Sequence, residues 1–209
     1  MEILFEDEYI IVCIKPIGVI SQSDMNGGDS MVKRLAEYTG GNVYPLHRLD
    51  KDVSGVMVFA KTQNSAAVLS KDIQNHKFKK EYLALVHGKP EKESGEMRDL
   101  LFKDSLKNKS YVVKRSRKGV KEALLDYKLI NSKNGLSLVE ILLHTGRTHQ
   151  IRVQFASRKM PLVGDRKYGS KDNFDNIGLW SYRITFNHPK TKETLTFQKS
   201  PNNFFNEYM

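Results

Sequence analysis

The chain has 209 residues, 39% of them hydrophobic and 28% charged, which is typical of a globular protein with a sizeable core. No apolar run approaches the roughly 18 residues that a membrane helix needs. The acidic start MEILFEDE is unlike a signal peptide, so the sequence predicts a cytoplasmic protein without a membrane anchor. The single cysteine, Cys13, excludes an internal disulfide and a cysteine-rich zinc site.

The net charge of +10 is unevenly distributed along the chain. Residues 103–121 hold 8 Lys/Arg against 1 Asp/Glu, whereas residues 1–70 hold 6 against 9. A basic surface favours a polyanion, because each neutralised phosphate releases counterions, although such a surface can also serve solubility alone. Within this segment we predict that four cations contact the polyanion: Lys114, Arg115, Arg117 and Lys118.

The apolar pattern predicts many strands and few helices, with no regular alternation. The predicted strands cover 3–5, 9–14, 55–61, 78–86, 111–113, 123–130, 136–143, 179–186 and 194–197, and the predicted helices cover 30–38, 62–75 and 148–158. Residues 87–110 are polar and rich in turn formers, and we predict a flexible connection between two lobes there. This pattern indicates the α+β class, as a largely antiparallel mixed sheet with flanking helices. The expected organisation is a single domain, 1–209, whose two lobes share one sheet.

The run HRLDKDVSG at 47–55 contains the first candidate for chemistry. Asp50 follows the guanidinium of Arg48 and precedes an apolar strand, so the environment can tune this carboxylate as a nucleophile or a base. A carboxylate that merely caps the loop is the alternative. Arg147 is a natural partner, since a guanidinium keeps a carboxylate ionised. Tyr82 could stack on a flat ligand and transfer a proton, or it could be plain core.

Other kinds of site find little support in the sequence. His144 and His149 are five residues apart, which does not place two metal ligands on one helical face. Ser54 lacks the flanking glycines of a hydrolase nucleophile, and no glycine-rich phosphate loop occurs. The sequence therefore predicts neither a metal nor a nucleotide cofactor.

Four segments resemble, in order and separation, the signatures of the RluA family of RNA pseudouridine synthases. They are HRLDKDVSG at 47–55, KEYLALV at 80–86, TGRTHQIR at 145–152 and PLVGDRKYG at 161–169. The resemblance implies the pseudouridine synthase fold with a central active-site cleft, in a short member without an N-terminal S4 domain. Val53 departs from the threonine usual in the family, and LWS at 179–181 replaces a common Leu-His-Ala pattern.

The resemblance also implies roles for individual residues. Asp50 matches the catalytic aspartate, Arg147 the arginine paired with it, and Tyr82 the tyrosine that stacks on uracil and accepts a proton. Arg48 matches the side chain that enters the RNA stack and helps to extrude the target base. Three more matched residues are expected to bind RNA: His47, His149 and Arg152.

The implied activity is the isomerisation of specific uridines in ribosomal or transfer RNA, without a cofactor, by an enzyme that we expect to be a monomer. Whether the aspartate attacks the sugar carbon or removes a proton is left open. Two other classes of protein are alternatives to this enzyme: an RNA-binding module without catalysis, and a metal-dependent nuclease or phosphoesterase. The first does not require the catalytic carboxylate, and the second requires a cluster of acidic ligands.

Overall fold

The computed structural model describes residues 1–23, 28–201, 205 and 208, and these residues form two compact units. Unit 1 comprises Met1–Lys80 and Trp180–Ser200, and unit 2 comprises Glu81–Leu179 with the described part of Pro201–Met209. The longest helix in the described part of the chain has 12 residues, and none there is long and apolar enough to cross a bilayer.

Unit 1 is built from six strands and two helices among its described residues. The strands are β1 (Glu2–Glu6), β2 (Ile10–Lys15), β3 (Tyr44–Pro45), β4 (Ser54–Ala60), β10 (Leu179–Asn187, in this unit from Trp180) and β11 (Thr194–Gln198). They are arranged in the order β1-β2-β4-β10-β11, and β3 also pairs with β4. The β4–β10 pairing is parallel, whereas the other pairings within this unit are antiparallel.

The two helices of unit 1 start and stop where their capping residues predict. α1 (Met31–Thr39) begins after Ser30, whose side chain accepts a hydrogen bond from the Lys33 N–H, and it ends at Gly40 in the left-handed conformation. α2 (Gln63–Gln74) begins after Thr62, whose side chain accepts from the Ser65 N–H. The predicted helices are therefore confirmed here. The core between strands and α2 is apolar and includes Ile10, Val58, Leu69, Phe78 and Phe186.

Unit 2 is an antiparallel sheet with one α-helix. Its strands are β5 (Lys79–His87, in this unit from Glu81), β6 (Ser94–Asp104), β7 (Lys109–Val113), β8 (Val120–Lys133) and β9 (Leu136–Leu143). They follow the order β5-β9-β8-β6-β7, and all four pairings are antiparallel. α3 (Gln150–Ser157) packs against β6 and β7, and a short 3-10 helix covers Arg166–Tyr168. The predicted α+β class with mainly antiparallel pairing is confirmed.

The prediction of a flexible connection over residues 87–110 is wrong. The middle of that segment forms β6, an 11-residue strand that lies between β8 and β7. Its charged residues alternate with buried apolar ones, and Met97 and Leu101 are 2% and 4% exposed. The high polarity of the segment reflects one solvent-facing side of the strand, and the segment belongs to the interior of unit 2.

Candidate active site

The turn over residues 47–55 connects β3 to β4 in unit 1 and carries Asp50. Two apolar side chains anchor it, since Leu49 and Val53 are 7% and 2% exposed. Between them Asp50 is half-buried, and its carbonyl accepts a hydrogen bond from the Val53 N–H at 3.0 Å. Arg48 is exposed. Leu49 and Val53 therefore pack into the core and hold the backbone of the turn, whereas the side chains of Arg48 and Asp50 are more accessible to solvent.

A buried hydroxyl fixes the backbone just before Asp50. Ser21 Oγ accepts from the Leu49 N–H at 2.9 Å and donates to the Leu49 carbonyl at 2.9 Å. One side chain therefore satisfies both peptide groups of the residue that precedes Asp50. This role of Ser21 is not predictable from the sequence, because a serine in a polar segment carries no distinguishing signal.

A buried lysine fixes the backbone just after Asp50. Lys15, at the end of β2, is 0% exposed. Its ammonium donates to three carbonyls: Pro16 at 2.9 Å, Val19 at 2.7 Å and Lys51 at 3.1 Å. In return, Ser54 Oγ donates to the carbonyl of Lys15. Lys15 therefore ties the strand β2 to the turn that carries the candidate acid.

The electrostatics of Lys15 join it to the two aspartates of the turn. Burial lowers the pKa of Lys15 to about 8, and the carboxylates of Asp52 and Asp50 oppose that shift. The Lys51 carbonyl, between the two aspartates, also accepts from the Gly18 N–H at 2.9 Å. A lysine at a strand end gives no sign from sequence alone that it is buried.

The close approach of β10 requires a glycine at position 55, at the end of the turn. Its φ is +126°, a left-handed value that side chains rarely adopt, and a Cβ there would lie 2.3 Å from the Ser181 carbonyl oxygen. β4 and β10 pair at this point, with Ser181 opposite Gly55. The glycine therefore permits the close parallel approach of β10. The serine that departs from the family pattern is satisfied, since Ser181 Oγ donates to the Val56 carbonyl at 2.9 Å.

His47, for which the resemblance implies an RNA contact, is half-buried in unit 1. Nε2 accepts from the Val58 N–H at 3.4 Å, and Nδ1 is buried without a partner among the described residues. Burial, with a smaller contribution from the charge of Lys80, lowers the pKa of His47 to about 3. The imidazole is therefore neutral and turned toward Phe78, with ring centres 5.8 Å apart. Such a ring supports the turn and offers no charge to a phosphate.

In unit 2, Arg147 lies in the turn between β9 and α3. Gln150 Oε1 accepts from the Arg147 N–H at 3.0 Å and from Thr145 Oγ1 at 2.8 Å. Thr145 Oγ1 in turn accepts from the Leu124 N–H at 2.8 Å, which ties the turn to β8. The Arg147 guanidinium donates from Nε to the Glu122 carbonyl at 2.8 Å. The turn is thus held by side chains that flank the arginine.

Arg152, for which the resemblance also implies an RNA contact, lies in the interior of unit 2. Arg152 is 4% exposed and its guanidinium donates to both carboxylate oxygens of Asp165, at 2.7 and 2.9 Å. Asp165 is 1% exposed, and the guanidinium lies 5.3 Å from the ring centre of Tyr168. A buried, bidentate pair of this kind orients the segment after α3. His149 is half-buried, and its Nδ1 lies 2.9 Å from the Tyr168 hydroxyl.

The other candidate residues of unit 2 differ in their exposure, since Tyr82 is buried and the cations of residues 114–118 are exposed. Tyr82, on β5 opposite Ile141, is 5% exposed. Residues 114–119, which we call the basic loop, connect β7 to β8 and are exposed throughout. The Arg117 guanidinium lies 4.8 Å above the Phe102 ring, and the other cations of the loop extend into solvent.

The structure brings the predicted residues together in two groups. The 47–55 turn of unit 1 gathers Arg48 and Asp50, whereas Arg147 and His149 share one turn of unit 2 and Tyr82 lies on β5 of that unit. Within the described ranges, no group of three or more His, Cys, Asp or Glu side chains is placed to hold a metal ion.

Solved structures define the class of the fold. The chain superposes on human RNA pseudouridylate synthase domain containing 4 with a TM-score of 0.79, covering 98% of this chain and 90% of that one at 22% identity. It superposes on human RNA pseudouridylate synthase domain containing 1 with a TM-score of 0.78, covering 97% and 84%, also at 22% identity. The fold is that of a pseudouridine synthase.

Sequence comparison then shows the family. A family model described as RNA pseudouridylate synthase matches residues 9–157. The chain is 34% identical to the uncharacterized RNA pseudouridine synthase YhcT of Bacillus subtilis (strain 168), over 93% of this chain and 67% of that protein. It is 35% identical to ribosomal large subunit pseudouridine synthase C of Buchnera aphidicola subsp. Baizongia pistaciae (strain Bp), over 92% and 64%. The chain spans about two thirds of the length of these relatives.

The chain belongs to the RNA pseudouridylate synthase family, and within it to the RluA family that the four motifs predict. Members of this family are isomerases that make pseudouridine in RNA. This membership favours the isomerase over the two other classes that the sequence left open, the simple RNA-binding module and the metal-dependent nuclease.

Proposed function

We propose that the chain converts specific uridines of ribosomal or transfer RNA into pseudouridine, with Asp50 acting directly on a flipped-out nucleotide. The observation that carries this proposal is the construction of the 47–55 turn. Buried groups fix the backbone on both sides of the half-buried Asp50 carboxylate. Such preorganisation is what a group needs when it must meet a reacting atom without further rearrangement.

The reaction suits the side chains found. The bond between the sugar C1′ and uracil N1 breaks, the uracil turns, and a bond forms between C1′ and C5. The proton displaced from C5 leaves and N1 gains one, so the composition of the nucleotide does not change. Positive charge develops at the sugar, and an ionised carboxylate stabilises it or attacks it directly. We assign this role to Asp50, with Arg147 as its partner and Tyr82 as the acceptor of the C5 proton.

Access to the base requires that the uridine leave its stack, which costs a few kcal/mol. We assign the place of the vacated base to Arg48, whose exposure in the turn supports that role. Phosphate contacts from the basic loop and His149 would offset part of the cost. The name of the Buchnera relative, a ribosomal large subunit synthase, supports ribosomal RNA as the substrate. We place the reaction in the cytoplasm, carried out by a monomer.

The decisive experiment replaces Asp50 with asparagine and measures tritium release from RNA labelled at uracil C5. We expect turnover to fall by roughly 10³-fold or more, because the amide can neither attack nor accept a proton. The matched control is Asp52→Asn, which removes the exposed carboxylate two residues away in the same turn and should cost less than about threefold. Turnover of D50N equal to that of D52N would exclude Asp50 as the catalytic group.

A further inference from the structure

The edge strand β7 has cations at both of its ends. The basic loop follows its last residue, Val113. At its other end, the turn from β6 and the neighbouring 3-10 helix bring together a second group, which we call the hairpin cluster: Lys107, Lys109, Arg166 and Lys167. All of these except Lys109 are exposed. None of the motifs discussed above assigns a role to the cations of the hairpin cluster.

The hairpin cluster is held together without neutralisation of its charge. Lys109 Nζ donates to the Lys167 carbonyl at 2.6 Å, and Lys167 Nζ donates to the Asn108 carbonyl at 3.1 Å. Lys109 Nζ also lies 5.1 Å from the ring centre of Tyr168 and 5.8 Å from that of Tyr111. Carbonyl dipoles and aromatic faces orient an ammonium group and leave its net charge in place.

Carboxylates do not cancel this charge within the part of the chain that the structure describes. None of the four cations forms an ion pair with another described residue. Asp104, in the same turn, uses its carboxylate to accept the backbone N–H of Lys107 at 3.0 Å. Elsewhere in unit 2 exposed cations do have such partners, as Arg98 has in Glu96 and Glu122.

The frame beneath the cluster is rigidly connected. The Tyr168 hydroxyl accepts from the Ser110 N–H at 2.9 Å, on the open edge of β7, and lies 2.9 Å from His149 Nδ1. The buried pair of Arg152 and Asp165 holds the start of the same segment. The 3-10 helix is thus joined to both β7 and α3. Two of the four ammonium and guanidinium groups, those of Lys109 and Lys167, are thus already oriented, which lowers the entropic cost of binding a ligand there.

We propose that the hairpin cluster binds backbone phosphates of the substrate RNA, so that one stretch of RNA runs along β7 from the cluster to the basic loop. β7 has five residues and spans about 13 Å at roughly 3.3 Å per residue. Cations at the two ends of a strand of this length can therefore contact phosphates of the same short stretch of RNA. This inference rests on the proposed function, because it specifies how the same enzyme holds its RNA.

The test compares two triple variants of the full chain that remove the same charge. One replaces cluster residues by glutamine: Lys107→Gln, Arg166→Gln and Lys167→Gln. The control changes exposed lysines at the opposite end of the unit 2 sheet: Lys89→Gln, Lys92→Gln and Lys133→Gln. The opposite position follows from the register, since β8 starts with Val120 beside Phe102 and ends with Lys133 beside Leu136.

The probe is a fluorescent stem-loop RNA of about 20 nucleotides with uridines in its loop, and its affinity is measured between about 50 and 200 mM salt. For the cluster variant we expect the slope of log affinity against log salt to become shallower by about 2, which corresponds to three lost phosphate contacts. The control should keep the wild-type slope. Equal slopes for the two triple variants would overturn the proposal.

Pseudouridine formation by the wild-type chain is measured beside the binding assay to separate the two proposals. If the wild type forms pseudouridine and the two triple variants bind alike, the cluster proposal fails alone. If the wild type forms none in ribosomal or transfer RNA while the slope still changes as expected, the proposed function fails and the RNA surface stands. A thermal unfolding curve confirms that each variant is folded.

Discussion

The 47–55 turn and the basic loop are both short, charged connections between strands, yet they are built in opposite ways. Around Asp50, one buried serine and one buried lysine bind the backbone on both sides. Within the basic loop, Arg117 lies over the ring of Phe102, and the Val120 N–H donates to the Arg117 carbonyl at 3.0 Å. The other side chains of the loop are exposed to solvent.

The difference indicates what each segment contributes to the proposed reaction. A carboxylate that must meet one sugar carbon benefits from a fixed backbone, because a small displacement costs rate. Cations that attract a phosphate chain act over a Debye length of about 10 Å and need little fixed geometry. We therefore expect substitutions around the turn to change folding stability and turnover together, and substitutions in the loop to change RNA affinity alone.

Replacing Lys15 with methionine should have the largest effect on stability. Methionine fills a similar volume but removes the ammonium donor from the carbonyls of Pro16, Val19 and Lys51, of which Lys51 keeps the Gly18 N–H as a second donor. We expect the free energy of unfolding to fall by about 3–4 kcal/mol and turnover to fall by tenfold or more, as the backbone after Asp50 is released. Urea unfolding and the tritium-release assay measure the two effects.

The control for this substitution is Lys33→Met, at an exposed position of α1, which should change stability by less than about 0.5 kcal/mol. The pH dependence provides a second check. Because folding lowers the pKa of Lys15 to about 8, the unfolded chain binds more protons between pH 8 and its ordinary pKa of 10.5. The wild type should gain stability relative to K15M as the pH rises through that range. Equal stabilities of K15M and K33M would contradict the prediction.

Replacing His47 with glutamine should have a smaller effect, and one that shows mainly in acid. Folding lowers the pKa of His47 from 6.5 to about 3, so between these values the unfolded chain binds one more proton there than the folded chain. The wild type should therefore lose stability as the pH falls below 6.5, by up to about 1.4 kcal/mol per pH unit from this group.

Glutamine can still accept the Val58 N–H but cannot take up a proton. At pH 4.5 we expect H47Q to lose about 2 kcal/mol less stability than the wild type, relative to pH 7. The comparison variant is His76→Gln, whose imidazole faces water in the folded chain. Identical pH profiles of H47Q and H76Q in urea unfolding would contradict the lowered pKa of His47 in the folded chain.

These two residues also show the limit of what the sequence could predict. The strands, the capping residues Ser30 and Thr62, and the four family motifs carry local signals, and the structure agrees with the elements drawn from them. Burial of a charged residue has no local signal. Lys15 is expected at the surface by its type, and only the pairing of β2 with β4 places its ammonium beside the Lys51 carbonyl.

The same reasoning applies to two places in unit 2. The polar residues of β6 suggested a linker because the partner strands that bury Met97 and Leu101 are far away in sequence. For Arg152 the resemblance implies an RNA contact, whereas its guanidinium pairs with Asp165, 13 residues later, inside the unit. In both cases the deciding neighbour is remote, so a reading of adjacent residues could not include it.

The smallest effect on folding should come from the basic loop, where four cations can be removed together: Lys114→Gln, Arg115→Gln, Arg117→Gln and Lys118→Gln. Because these side chains are exposed and the loop is not part of the core, we expect the free energy of unfolding to change by less than about 0.5 kcal/mol. The slope of log RNA affinity against log salt should become shallower by about 3, as four phosphate contacts are lost.

Lysines exposed elsewhere provide a control with the same change of charge: Lys71→Gln, Lys77→Gln, Lys89→Gln and Lys133→Gln. If the loop variant unfolds as readily as K15M, the loop is a structural element and the contrast with the turn fails. If its salt slope equals that of the control, the loop does not meet phosphates, and the affinity for RNA must come from other parts of the surface.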